Sequence, residues 1–237
     1  MCFTPVIRFE REKVTFHDGM ISWLAFLHLP SNFVCAILTT SSTNRNLAME
    51  EEAEKMIYLE TKHLILRDYR EEDFLGYYRL KADPKTMYYL QDIQLFTKEE
   101  AYEDFRTVLE DMQKSDRKFY FMHIELKNSH EQVGSVGYTV TNDTPIGKLV
   151  HAGYFIYPKF WGKGYTTEAF TRVLEFAFCD NDVYRVSTGC LAENIGSERV
   201  MQKCGFIKEA EHIDYEWHDG KIKTRLEYRL LKKEWLD

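Results

Sequence analysis

An apolar run that stops at a proline and gives way, past two closely spaced glycines, to an amphipathic helix leaves this chain few ways to fold. The run covers 149 to 157, Pro158 ends it, and helical apolar spacing runs from Tyr165 to Phe178. Between them lies Gly162-Lys163-Gly164-Tyr165-Thr166-Thr167. A strand that breaks at a glycine-rich turn and feeds a helix presents consecutive unpaired N–H groups at the positive end of the helix dipole. Such a corner suits a diphosphate, and it demands a mixed α/β domain.

A second block lies downstream, Asn194-Ile195-Gly196-Ser197-Glu198-Arg199-Val200-Met201-Gln202-Lys203-Cys204-Gly205-Phe206. Together the two blocks resemble the GNAT superfamily of acetyl-CoA-dependent N-acetyltransferases, and within it the Rim-type branch that acetylates ribosomal protein N-termini. The family's Arg/Gln-x-x-Gly-x-Gly/Ala loop falls on Trp161 to Thr166, where Trp161 and Thr166 depart from the general pattern. The likeness runs from about Leu59 to Trp235.

The resemblance implies a GNAT fold of the α/β (α+β) class: a mixed, mostly antiparallel twisted sheet, splayed between strands 4 and 5 and flanked by helices. It further implies that acetyl-CoA is the cosubstrate. Backbone groups of Tyr154, Phe155 and Ile156 would bond pantetheine and the acetyl group, while Gly162, Lys163, Gly164, Tyr165, Thr166 and Thr167 hold the pyrophosphate. Asn194 matches a pantetheine-binding asparagine, and it is equally placed to cap the next helix. Acyl chain length would depend on pocket depth near Tyr154 and Tyr138.

Acetyl transfer needs a neutral amine, a polarised thioester carbonyl and a proton for the departing thiolate. Many relatives protonate the thiolate from a tyrosine in the helix after the asparagine, a position occupied here by Met201. The Rim-type alternative puts Ser197 at the thiolate and Glu216, four residues before Gly220, as the base. Glu216 also has a structural reading. Asp219-Gly220 resembles a type I′ turn, and pairing outward sets Glu216 opposite Lys223 and Asp214 opposite Arg225. His151, on the cofactor strand, is the competing base.

These features point to direct acetyl transfer to a primary amine, either a protein α-amino group or a small amine such as a polyamine, amino acid or aminoglycoside. The alternative from another class is a non-catalytic CoA-sensing or interaction module, prompted by Met201. Tyr88, Tyr89, Tyr215 and Trp217 offer aromatic surface for an amine mouth, or simply pack the final hairpin onto the early helices.

With 237 residues the chain can bury one sizeable core. A net charge of −7 with scattered basic residues argues against a nucleic-acid partner and favours approach of cations. The five cysteines are odd in number and lack C-x-x-C spacing, so no metal is expected, and Cys204 reads as packing. Met20 to Leu29 is apolar but interrupted by Pro30, too short to span a bilayer and without a clean cleavage site, which points to a cytoplasmic protein, monomeric or homodimeric.

Residues 1 to 56 read as an N-terminal extension or accessory arm with a Ser/Thr/Asn-rich linker at Thr39 to Asn46, and 57 to 237 as the acetyltransferase domain. Residues 1 to 48 are either an upstream extension of the reading frame or an arm docking through Trp23, Phe26 and Leu27. Within the domain, strands are expected at His63 to Tyr69, Arg117 to Leu126, Gln132 to Thr141, Leu149 to Tyr157 and Tyr184 to Leu191, before a closing hairpin. Helices are expected at Glu71 to Lys81, after a Thr97/Glu100 capping box, from Tyr165, and at Ser197 to Cys204.

Overall fold

The computed structural model describes residues 56 to 236, so the readings of Met20 to Leu29, the 39 to 46 linker and the proposed arm lie outside the described residues. Eight strands form one sheet: β1 (Tyr58–Glu60), β2 (Leu64–Arg67), β3 (Met122–Leu126), β4 (Gln132–Thr144), β5 (Gly147–Ile156), β6 (Val183–Leu191), β7 (Ile207–His218) and β8 (Lys221–Leu231). Their order is β1-β2-β3-β4-β5-β6-β8-β7, and only β5 with β6 is parallel. β1 lies ahead of the expected opening strand; three residues carry too little alternation to be read. The strands expected as fourth and fifth are therefore β5 and β6.

Five α-helices accompany the sheet in the described residues: α1 (Phe74–Ala82), α2 (Lys98–Met112), α3 (Tyr165–Cys179), α4 (Ile195–Lys203) and α5 (Lys232–Leu236). None is long and apolar enough to cross a membrane. The capping box starts α2 as expected: the Glu100 amide donates to Thr97 Oγ1 at 3.2 Å, and the Thr97 amide donates to the Glu100 carboxylate at 3.2 Å. Behind it Ala101, Phe105 and Met112 are buried, and Phe105 packs with Tyr69 and Tyr77.

α3 covers the other side of the sheet. Ala169, Phe170, Val173, Leu174, Ala177 and Phe178 turn inward at helical spacing against Val150, Ala152, Val186, Leu226, Tyr228 and Leu230. At about 1.5–3 kcal/mol for each large side chain buried, this stripe anchors the helix that carries the glycine loop.

Two stretches depart from the expected ladder. The strand expected from Arg117 is continuous only from Met122: the amides of Lys118 and Phe119 donate to the Asp111 carboxylate at 2.8 and 2.7 Å, while the Lys118 carbonyl and the Tyr120 amide still bond to Val140 and Tyr138 of β4, each at 2.9 Å. Arg117 is buried in a bidentate pair with Asp68, at 2.6 and 2.9 Å.

In the hairpin, Asp219 (φ 49°) and Gly220 (φ 74°) form the left-handed pair of a type I′ turn, with His218 opposite Lys221 and Glu216 opposite Lys223. Asp214 is not opposite Arg225; that place belongs to His212. A bulge at 213 to 215, with Asp214 at φ 48°, absorbs the difference.

Candidate active site

β5 pairs with β6 from Lys148/Val183 to His151/Ser187 and no further, so the two strands part at their C-terminal ends. On its other side β5 stays paired with β4 as far as Ile156. Antiparallel alternation then decides which backbone groups are available. The Tyr157 amide donates to the Val133 carbonyl at 3.0 Å, which makes Ile156/Gly134 a non-hydrogen-bonded pair. Tyr154 and Ile156 accordingly turn their amides and carbonyls toward the splay, whereas those of Phe155 bond to β4. The expectation that all three bind pantetheine is corrected for Phe155.

The Ile156 carbonyl already accepts from the Trp161 indole N–H at 2.7 Å. Trp161, one of the two departures from the family loop, thus ties the glycine turn to the end of β5. A short 3-10 turn at Pro158–Phe160 carries the chain into that loop. Gly162 (φ 72°) and Gly164 (φ 82°) both adopt left-handed backbone, and a Cβ built on either meets nothing within 4 Å. The first bond into α3 runs from the Glu168 amide to the Gly164 carbonyl at 3.0 Å, so the amides of Tyr165, Thr166 and Thr167 have no partner within the helix. Open volume, glycine conformation and a helix N-terminus coincide, and a diphosphate fits them.

Glu168, which sequence reasoning passed over, fastens this helix end. It accepts from Thr61 Oγ1 at 2.6 Å, the His63 amide at 2.7 Å and His63 Nδ1 at 2.8 Å. Burial alone would raise its pKa; the hydrogen bonds outweigh burial and hold it below the ordinary carboxylate value. No local pattern signals this, since the partners are more than a hundred residues away.

At the start of α4, Asn194 is the N-cap: its Oδ1 accepts from the Ser197 amide at 3.1 Å. Ser197 is half-buried, and its Oγ lies 2.9 Å from the Tyr154 hydroxyl. Met201 is fully buried in the core. Tyr138, expected beside the acyl pocket, instead stacks on Tyr120, and its hydroxyl accepts from Asn181 at 2.6 Å, past the C-terminus of α3.

Side chains alternate along β5, so Tyr154 and His151 leave opposite faces of the strand. Tyr154 packs on Phe170 of α3. His151 is exposed on the other face and senses Glu227 and Arg225 of β8. Desolvation is the largest influence on His151; with Arg225 it outweighs the attraction of Glu227 and lowers the pKa. Arg225 in turn bonds Glu216 at 2.7 Å and Glu227 at 2.5 Å. Glu216 therefore bonds diagonally to Arg225 rather than to its cross-strand neighbour Lys223, which pairs with Glu193.

The hairpin tip closes one side of this second face. His218, buried between the rings of Tyr88 and Tyr89, donates from Nε2 to the Tyr88 carbonyl at 2.6 Å, and the Tyr88 hydroxyl donates to Asp219 at 3.0 Å. Trp217 alternates away from His218 and is 68% exposed. Tyr215 sits on the bulge, 64% exposed.

A splayed parallel pair with a glycine cradle at a helix N-terminus defines an acyl-CoA-type transferase fold, and comparison with known proteins makes the assignment specific. The acetyltransferase (GNAT) domain model matches residues 63–207, and the chain belongs to that family. It is an N-acetyltransferase.

Among curated proteins it is 27% identical over 184 residues to the uncharacterized N-acetyltransferase YnaD of Bacillus subtilis, covering 76% of this chain and 99% of that protein. Among solved structures it is similar to spermidine N-acetyltransferase from Vibrio cholerae in complex with CoA and spermine, with TM-score 0.64, 18% identity and coverage of 73% of this chain and 98% of that one. The ribosomal-protein-S5-alanine acetyltransferase of Vibrio fischeri gives TM-score 0.64 and 20% identity over 76% of this chain and 98% of that one.

Proposed function

We propose that the protein transfers acetyl directly from acetyl-CoA to a primary amine in a Rim-like manner, with Ser197 serving the leaving sulfur and His151 removing the amine's proton. The observation that carries this reading is the division of polar groups by β5: Tyr154 and Ser197 lie on the α3 side of the splay, His151 with Arg225 and Glu227 on the other. A thioester in the gap would then be attacked from one side and released toward the other. The amides of Gly162 to Thr167, the splay-facing groups of Tyr154 and the Ile156 amide would hold the cofactor.

A lowered pKa leaves His151 neutral at pH 7, as proton removal requires. Glu216 is held by Arg225, and we assign it with Glu227 to attraction of the substrate ammonium. The amine itself is either a protein N-terminus, as for the S5-alanine enzyme, or a small polyamine, as for the spermidine enzyme. Steady-state CoA release with a panel of N-terminal peptides, spermidine and spermine separates these two. Turnover with no member, by protein that binds acetyl-CoA, would remove the transfer reading.

A further inference from the structure

We propose that Tyr154 is the positioning residue for the leaving sulfur: its phenol holds the Ser197 hydroxyl where that hydroxyl can hydrogen-bond the departing CoA thiolate. The inference rests on the assignment of Ser197 made above. In relatives with a helix tyrosine a phenol reaches the sulfur from the helix; here Met201 fills that place, and a phenol approaches the same helix from the strand opposite.

Tyr154 Oη lies 2.9 Å from Ser197 Oγ and 3.0 Å from the Ser197 carbonyl. A phenol has one proton and the carbonyl can only accept, so of two arrangements the first satisfies both contacts and the second gives up the bond to the carbonyl. In one, Tyr154 donates to the carbonyl and Ser197 Oγ–H donates to Tyr154. In the other, Tyr154 donates to Ser197 Oγ, and the serine proton is free to turn toward the sulfur. Interconversion moves two hydroxyl hydrogens and no heavy atom. The carbonyl also belongs to the ladder of α4, so loss of the phenol does not leave it unpaired.

Negative charge developing on sulfur favours the second arrangement, because hydrogen bonds to an anion are about twice as strong as neutral ones. As the C–N bond forms and the C–S bond breaks, sulfur leaves with the bonding electron pair. The nitrogen gives up its proton on the His151 side, and the thiolate, held by Ser197 Oγ–H, takes one from water. Tyr154 keeps its own proton throughout, since burial drives its pKa far above the ordinary phenol value. The neighbouring Cys190 thiol, pushed up to about 11 by burial, stays neutral and adds no competing anion.

Tyr154→Phe tests this, because it keeps the ring against Phe170 and removes only the oxygen. Loss of one hydrogen bond predicts kcat lower by about 3- to 10-fold with acetyl-CoA affinity within about twofold of wild type. Assayed well below the variant's melting temperature, Ser197→Ala should reduce kcat less in the Tyr154→Phe background than in wild type, and the solvent deuterium isotope effect on kcat should shrink in Tyr154→Phe. Wild-type kcat in Tyr154→Phe, or fully additive losses with an unchanged isotope effect, would overturn the role of Tyr154 and leave Ser197 standing. Wild-type turnover in Ser197→Ala would overturn both.

Discussion

Replacing Gly164 with alanine separates the backbone cost of the glycine loop from its role in binding. Gly164 sits at φ 82° and ψ −6°, a conformation that costs a residue with a Cβ about 1–2 kcal/mol. Nothing lies within 4 Å of the added Cβ, so no clash adds to that figure. For a domain of this size the penalty corresponds to a melting temperature lower by roughly 2–8 °C. Binding should suffer more, because the methyl group enters the space proposed for the pyrophosphate. Loss of one hydrogen bond to a charged group, about 1.5–3 kcal/mol, weakens affinity roughly 10- to 150-fold.

Gly205 supplies the control. It has φ 83°, equally open surroundings and a place at the far end of α4. Gly205→Ala should match Gly164→Ala in melting temperature and leave acetyl-CoA binding unchanged. Titration calorimetry on both folded variants reads the difference. Equal affinities for Gly164→Ala, Gly205→Ala and wild type would refute the cradle.

Further expectations concern protons and caps. His151→Gln should lower kcat/KM and abolish an acidic limb lying below the ordinary histidine value of about 6.5, whereas Glu216→Gln should retain that limb and raise the amine KM; the reverse pattern in pH–rate profiles would reassign the base. The buried His123 also has a lowered pKa, mainly through desolvation, so the unfolded chain binds more protons near pH 6 and stability falls as pH drops from about 6.5 through the folded value. Urea unfolding of His123→Gln at pH 7 and pH 5.2 should show a smaller decline than wild type. Thr97→Ala removes the cap of α2 and should cost about 1 kcal/mol with acetyl-CoA affinity unchanged.

What could be read from the chain was what depends on neighbours in sequence. The Thr97/Glu100 box, the Asp219-Gly220 turn, the α3 stripe and the glycine loop each lie within a few residues, and each stands where expected. Register beyond a bulge did not, because two extra residues between His212 and Glu216 leave no trace in apolar alternation on a strand so polar. The edge Phe155 presents is hidden for a related reason: which edge of a strand an amide faces follows from pairing, not residue type. Glu168 and His218 carry no local signal because partners brought together only by the fold give them their roles.

The contact of His218 with Tyr88 joins positions 130 residues apart, while β5, the glycine loop and the start of α3 are continuous chain. The two corners differ in when their partners become available: Thr61 and His63, which hold Glu168, precede α3 in the chain, whereas Tyr88 waits for His218. A chain emerging from synthesis can assemble the glycine corner once α3 is complete, but the hairpin tip must wait for β7 to reach back to residues 88 and 89. The contact at the hairpin tip is the later acquisition, made only once β7 is complete.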